Sequence, residues 1–239
     1  MKGRHFRRKA VQPASLVAGV LRLVKTLPDG RQQIVDLVYP GEFFGRAAGG
    51  LSDCAVEAAT AAELCVIDRR AFENVMPQYP ELEHRLLAIA FDELAIARAR
   101  SLILGCLTTR ERIASFLMIA LRRRERVLAG VAETAHKRIA VLQITRRDMA
   151  RYLSTSVETI SRTFHLFARD GVIRLVDHEH FEILDCDALL RLSGLAAEDL
   201  AVFSPPGQAA KTLLVHGTRA EIAKGLTAID GDHRRSREV

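Results

Sequence analysis

Between Ile144 and Val176 the chain reads ITRRDMARYLSTSVETISRTFHLFARDGVIRLV, and this stretch constrains the fold more than any other. Thr145 is a good helix N-cap, with Asp148 three residues on to complete a capping box. A first helix over residues 146–153 is expected from it. Ser154, Thr155 and Ser156 then form a break. Ser156 caps a second helix that runs to about Arg169. Ile160, Phe164 and Phe167 recur at helical spacing and give that helix one buried face. Gly171 accepts the left-handed conformation that ends a helix. Two helices across a short turn make a helix-turn-helix. The residues that follow, VIRLVDHEHFEIL, read as strand, polar turn and strand, the hairpin of a winged helix.

Such a unit enters the DNA major groove with its second helix, N-terminal residues first. Glu158, Ser161 and Arg162 fall in the first two turns of that helix, on one face. Arg can donate two hydrogen bonds to guanine O6 and N7, Glu can accept from cytosine N4, and Ser can pair with several base edges. Thr159 and His165 are placed for phosphates. Arg146, Arg147 and Arg151 on the first helix are expected near the DNA backbone, positioning rather than reading. The plain alternative is a solvated helix face carrying an Arg/Glu pair. Against it, caps, break, inward aromatics and wing all agree with one another.

Upstream the periodicity changes. Residues 15–68 read as β. Val20–Val24 and Ile34–Val38 are apolar runs joined by LPDGRQ, in which Pro28 presets φ and Gly30 accepts a positive φ. A second turn falls at Pro40-Gly41, and AVEAATAAELCVIDRRAF gives two more short strands. Strands at this spacing make a sandwich or barrel. From Pro80 to about Leu104 the period is helical, giving a rod of roughly 36 Å. One stripe of it carries Leu87, Ala90, Leu94, Ala97 and Ser101. Another carries Leu86, Ile89, Ile96 and Ile103. Two apolar faces suit a helix that packs on its own domain with one and on a second copy with the other. A further helix is expected from Thr109 to Arg124, capped by Thr108 or Thr109, with Ile113, Phe116, Leu117 and Ala120 inward. RRRERVLAGVAETAHKR reads as a polar loop and IAVLQI as a short strand.

The chain has 239 residues, a formal net charge of +6 and a pI near 9.4, which permits a polyanionic partner without demanding one. Basic residues gather at Arg4–Lys9, Arg122–Arg126, Lys137-Arg138, Arg146-Arg147 and His233–Arg237. Four scattered cysteines (Cys54, Cys65, Cys106, Cys186) form no C-x-x-C pair and no zinc spacing, as expected of thiols in a reducing compartment. No run approaches the roughly 18 apolar residues of a membrane span, and Pro13 interrupts the only candidate secretion signal. A cytoplasmic protein with no membrane association is expected. There is no Gly-rich phosphate loop, no G-x-S-x-G and no H-E-x-x-H, so an enzyme is not.

At these residues the chain resembles the CRP/FNR family of bacterial transcription regulators, and within it the FNR/FixK branch, over about residues 15–194. VETISRTFHLFARDGVI is similar to that branch's recognition helix and its exit. LPDGRQQIVDLVYPGEFFG resembles the family's cyclic-nucleotide-binding-type barrel, and TTRERIASFL the first helix of its DNA-binding domain. The resemblance implies an α+β fold of a β-barrel, a long dimerisation helix and a C-terminal winged helix-turn-helix. It divides the chain into a basic segment 1–14, a partial sensor-type barrel 15–79, a dimerisation helix 80–106, a winged-helix domain 107–194 and an extension 195–239 of unknown role. It further implies a homodimer on double-stranded DNA carrying inverted TTGAT-type half-sites. Glu158, Ser161 and Arg162 would be the base-reading triplet, and activation would come through contact with RNA polymerase.

The chain departs from the family pattern in three places. Where cyclic-AMP-binding relatives carry Arg-Ser-Ala after the Gly-Glu turn, this chain reads Asp53-Cys54-Ala55, and an Asp repels a phosphate. No cysteine precedes Cys54, so the N-terminal cluster that holds iron and sulfur in oxygen-sensing members is missing. The expectation is therefore a regulator with no cofactor. The alternatives are a barrel that binds some other small ligand, or a truncated paralogue impaired in dimerisation. Third, the chain begins late in the family barrel: either the barrel is incomplete, which would leave strand edges and core exposed, or the start assigned to the sequence is wrong. Two smaller features complete the reading. Cys186, just past the wing, is a candidate redox thiol whose oxidation would weaken DNA binding, although Asp185 and Asp187 beside it disfavour the thiolate. His178 and His180 lack the spacing of a metal site and read as an exposed wing tip.

Overall fold

Alternating apolar residues place the first part of the chain in two antiparallel sheets in the computed structural model, which describes residues 12–45, 54–128, 139–141, 144–177 and 180–203. These residues belong to one compact unit, Met1–Pro205; the second unit, Pro206–Val239, lies outside them. The strands are β1 (Ala14–Ala18), β2 (Leu21–Thr26), β3 (Gln32–Val38), β4 (Phe43–Phe44), β5 (Ala55–Ala58) and β6 (Glu63–Val66). One sheet has the order β4-β1-β6 and the other β3-β2-β5. The β2–β3 hairpin closes as its turn residues require. Gly30 takes φ +88 and donates its N–H to Leu27 O at 2.9 Å. Inside, Ala14, Leu16, Leu21, Val38, Phe44 and Val56 pack together. All four residues of β6 are exposed, and so is Val17 on β1.

Helix α1 (Arg69–Val75) follows, capped by the Asp68 carboxylate, which accepts from Ala71 N. Sequence periodicity leaves this helix unannounced, because it is two turns long and carries one buried side chain, Phe72. Helix α2 (Pro80–Cys106) starts with Pro at its first position, where the missing N–H removes no bond. Its two stripes separate as their spacing demands. Leu87, Ala90, Leu94, Ala97 and Ser101 are all exposed, while Leu86, Ile89 and Ile96 are half-buried and Ile103 is buried.

Helix α3 (Thr109–Leu128) opens with a reciprocal cap: Thr108 N donates to Glu111 Oε2 at 2.7 Å, and Glu111 N to Thr108 Oγ1 at 3.4 Å. The Thr108 backbone N–H first, and then the Thr108 side chain, hold the Glu111 carboxyl below its ordinary pKa. The helix continues to Leu128, through residues expected above to be loop, because Arg, Glu and Leu are strong helix formers. Nor do Arg122 and Arg123 belong to a free basic patch. Arg122 donates to Ala197 O at 2.9 Å; Arg123 pairs with Glu42 at 3.3 Å and lies over the Tyr39 ring, 4.3 Å from its centroid.

The remaining elements are β7 (Ile139–Val141), α4 (Arg146–Tyr152), α5 (Val157–Arg169), β8 (Ile173–Leu175), β9 (His180–Ile183) and α6 (Cys186–Ser193). The three strands form one antiparallel sheet, β7-β9-β8. Helix α6 is an addition to the expected layout. Its signals are present in the sequence: Asp185 caps Ala188 N at 2.8 Å, and Gly194 ends it in the left-handed conformation. Beyond it Leu200 and Phe203 are buried, so the start of the C-terminal extension is packed.

The largest core does not respect the line between barrel and winged helix. Val20, Val24, Ile34 and Leu37 from β2, β3 and their approach join Ile113, Leu117, Met149, Leu153, Phe164 and Leu189 in one cluster. The barrel thus buries one face inside itself and another against the helices.

Candidate nucleic-acid interface

The local sequence builds this site as the caps require. Thr145 Oγ1 accepts from Asp148 N at 3.1 Å and opens α4; Ser156 Oγ accepts from Thr159 N at 3.1 Å and opens α5. Between them Ser154 takes φ 54, a left-handed turn residue that is not glycine. Helix α5 buries Ile160, Thr163, Phe164 and Phe167 and ends at Gly171, φ +72. Phe164 is the pivot. The Phe181 ring of the wing meets it edge-on at 6.0 Å, and the Arg146 guanidinium of α4 lies 3.7 Å from its centroid. First helix, recognition helix and wing are therefore clamped at one side chain.

What remains outward is the face that the sequence leads one to expect to read bases. Glu158 and Arg162 are exposed and Ser161 is half-buried beside them. Glu158 is held as a carboxylate: a bond from its own backbone N–H, then one from the Ser156 hydroxyl, and more weakly the charge of Arg162, lower its pKa. Arg147 and His165 are exposed; Arg146, Arg151 and Thr159 are half-buried. Thr159 also exchanges a hydrogen bond with Ser156 at 3.0 Å, so its hydroxyl already has a local partner. The wing adds Arg174, exposed and paired with Glu182 at 2.9 Å.

The other candidate residues are scattered. Cys186 is half-buried at the first position of α6. His178 lies outside the described residues, and so do Asp53 and the basic clusters at both termini; His180 begins β9. Among the described residues no group of three or more His, Cys, Asp or Glu is placed to hold a metal ion. Nor is any helix among them long and apolar enough to cross a membrane.

The comparisons with known proteins agree with this geometry. Residues 14–79 match the cyclic nucleotide-binding domain and residues 111–192 the Crp-like helix-turn-helix domain. The transcriptional activator protein FnrL of Cereibacter sphaeroides is 39% identical over 181 residues, 76% of this chain and 72% of that one. The chain belongs to the CRP/FNR family of transcription regulators. Another CRP/FNR relative, the nitrogen fixation regulation protein FixK of Bradyrhizobium diazoefficiens, is 36% identical over 72% of this chain and 69% of its own. The solved structure of FixK2 from Bradyrhizobium japonicum superposes with a TM-score of 0.71 at 26% identity, covering 82% of this chain and 96% of that one. The α+β architecture expected from the sequence is the CRP/FNR one. This is a family of DNA-binding transcription regulators, not of enzymes, and of the relatives named, FnrL is by its name a transcriptional activator and FixK a regulator of nitrogen fixation.

Two residues that bear on the proposals below escaped sequence reasoning. Phe91 is 62% exposed on α2, between Leu87 and Leu94, the most exposed large apolar side chain of the described residues. Its i+4 and i−3 spacing to those leucines was the available signal. Arg22, on β2, reaches Asp148 on α4, and no local pattern announces a pair 126 residues apart.

Proposed function

We propose that the chain activates transcription as a homodimer bound to an inverted repeat of TTGAT-type half-sites, through contact with RNA polymerase. The single observation carrying the sequence-reading part is the outward face of α5, where Glu158, Ser161 and Arg162 stand free of the Phe164 clamp. Arg146, Arg147, Arg151, Thr159 and His165 surround that face and are proposed to hold phosphates. The exposed stripe Leu87, Ala90, Leu94, Ala97 and Ser101, with Phe91 beside it, supports pairing of α2 with a second copy. That pairing would set the two recognition helices about one DNA turn apart.

Cyclic nucleotide is not part of this reading. Glu42 follows the Gly41 turn, yet its carboxylate is engaged within the chain. Oε2 accepts from Tyr39 N at 2.9 Å and Oε1 faces Arg123 at 3.3 Å. Burial raises its pKa, and Arg123 opposes that rise. A carboxylate so occupied fits a structural tie better than a ribose. No iron-sulfur cluster is invoked either.

Fluorescence anisotropy tests the proposal. Binding is measured at fixed salt, in reductant and without nucleotide, on a duplex with inverted TTGAT-type half-sites and on a scrambled one. The expected preference is about a thousandfold or more. Equal, strongly salt-sensitive binding to both would mean that α5 does not read bases in this state, and would favour a ligand-controlled barrel.

A further inference from the structure

Helices α2 and α3 meet at Leu107, which is extended at φ −84, ψ 147. Leu107 and the cap Thr108 are the whole of the covalent joint, and the apolar core shared by barrel and winged helix, which is non-directional, holds the two together. Beside that core a set of directional polar ties runs through the barrel. Arg22 Nη1 on β2 donates to Asp148 Oδ1 on α4, while its Nε donates to Glu57 Oε2 on β5 at 3.0 Å. Asp148 is 3% exposed, so its end of the pair is shielded from solvent and salt. Its other oxygen, Oδ2, accepts from the Thr145 hydroxyl at 3.0 Å. One carboxylate thus serves the helix cap and the barrel tie with different atoms.

The neighbouring strand repeats the contact. Gln33 Nε2 donates to Tyr152 O at 3.2 Å, and Gln33 Oε1 accepts from Ser154 Oγ at 3.3 Å. Ser154 is the left-handed residue between the two DNA-binding helices, so Gln33 holds the turn itself. The barrel is in turn fixed to α2. Arg100 Nη2 donates to Asp36 Oδ1 at 2.7 Å, and Arg100 Nη1 to Val35 O on the same strand. The path is continuous: α2, Arg100, β3, β2, Arg22, α4.

We propose that Arg22 is a positioning residue for DNA recognition. By docking α4 on the barrel it fixes the angle at which each recognition helix is presented relative to α2, and so the spacing of half-sites that a dimer accepts. This rests on the homodimer reading above. Arg22 touches no DNA. It acts by keeping the binding-competent orientation populated, since apparent affinity scales with the fraction of molecules in that orientation. A second half-site adds affinity only while geometry lets both helices engage.

The test compares a full palindrome with a single half-site duplex for the full chain. Arg22→Met removes the tie and keeps the apolar stem, but leaves Asp148 buried without its partner. Arg22→Met with Asp148→Asn removes both charges of that pair and keeps an oxygen for the Thr145 hydroxyl, and Glu57 loses the Arg22 guanidinium in both variants alike. Both variants should lower the ratio of palindrome to half-site affinity by about tenfold, with half-site affinity unchanged. They should also accept palindromes with one base pair added between half-sites, and Arg22→Lys should recover most of the ratio. An unchanged ratio in both Met variants, or an equal loss on palindrome and half-site, would overturn the proposal; the second result would mean a purely structural role. A wild-type ratio near one would instead sink the homodimer reading on which it rests.

Discussion

Arg162 and Arg147 are the residues at which the proposed reading and holding roles can be told apart. Arg162 is exposed on α5 and Arg147 is exposed on α4. Replacing Arg162 with Ala should cost about 1–3 kcal/mol of specific binding and relax preference at one base pair. Replacing Arg147 with Ala should weaken all sequences alike and reduce the slope of log affinity against log salt by about one. Anisotropy titrations over a set of single-base variants, at several salt concentrations, check both. Equal loss across every sequence for Arg162→Ala would place it with the phosphate contacts. Glu158 adds a pH expectation. Its pKa is lowered, so it stays ionised as pH falls, and discrimination at its base pair should be constant from about pH 8 to about pH 6.

At the scale of elements, α2 is the most informative. It shows one stripe to solvent and turns the other inward, and the exposed stripe includes Leu87 at 55%, Phe91 at 62% and Leu94 at 43%. Leu94→Glu, which loads that exposed stripe with charge, should shift sedimentation towards monomer. Palindrome preference should fall with it. A dimer that survives the change would move the interface elsewhere. The helices of the DNA-binding unit were legible in the sequence because their information is local. Thr145, Ser156 and Gly171 act within four residues of themselves, and Ile160, Phe164 and Phe167 share one face. Helix α6 carried equally local signals in Asp185 and Gly194. It was overlooked because an eight-residue helix offers little periodicity beside a wing. The basic run at Arg122–Arg123 misled for another reason. Charge composition does not say which arginines are spent on carbonyls and carboxylates inside the protein, as these two are.

For the molecule as a whole, the shared core is what sequence could not supply. Val24 and Ile34 alternate as any strand residues do, and nothing near them says that their partners are Ile113, Leu117 and Met149. Because barrel and winged helix bury apolar surface against each other, they should not melt apart. Calorimetry of the full chain should give one cooperative transition for these two parts, with calorimetric and van't Hoff enthalpies in agreement. Two separated transitions would mean that the common core contributes little.

In the language of genetics, that core makes the barrel a target for mutations with a DNA-binding phenotype. Alleles that lose promoter recognition would be found at Val24 or Ile34, buried in strands outside the helix-turn-helix. Their suppressors would map to α3 and α4, so a linkage map of this regulator would not divide where its two domain families do.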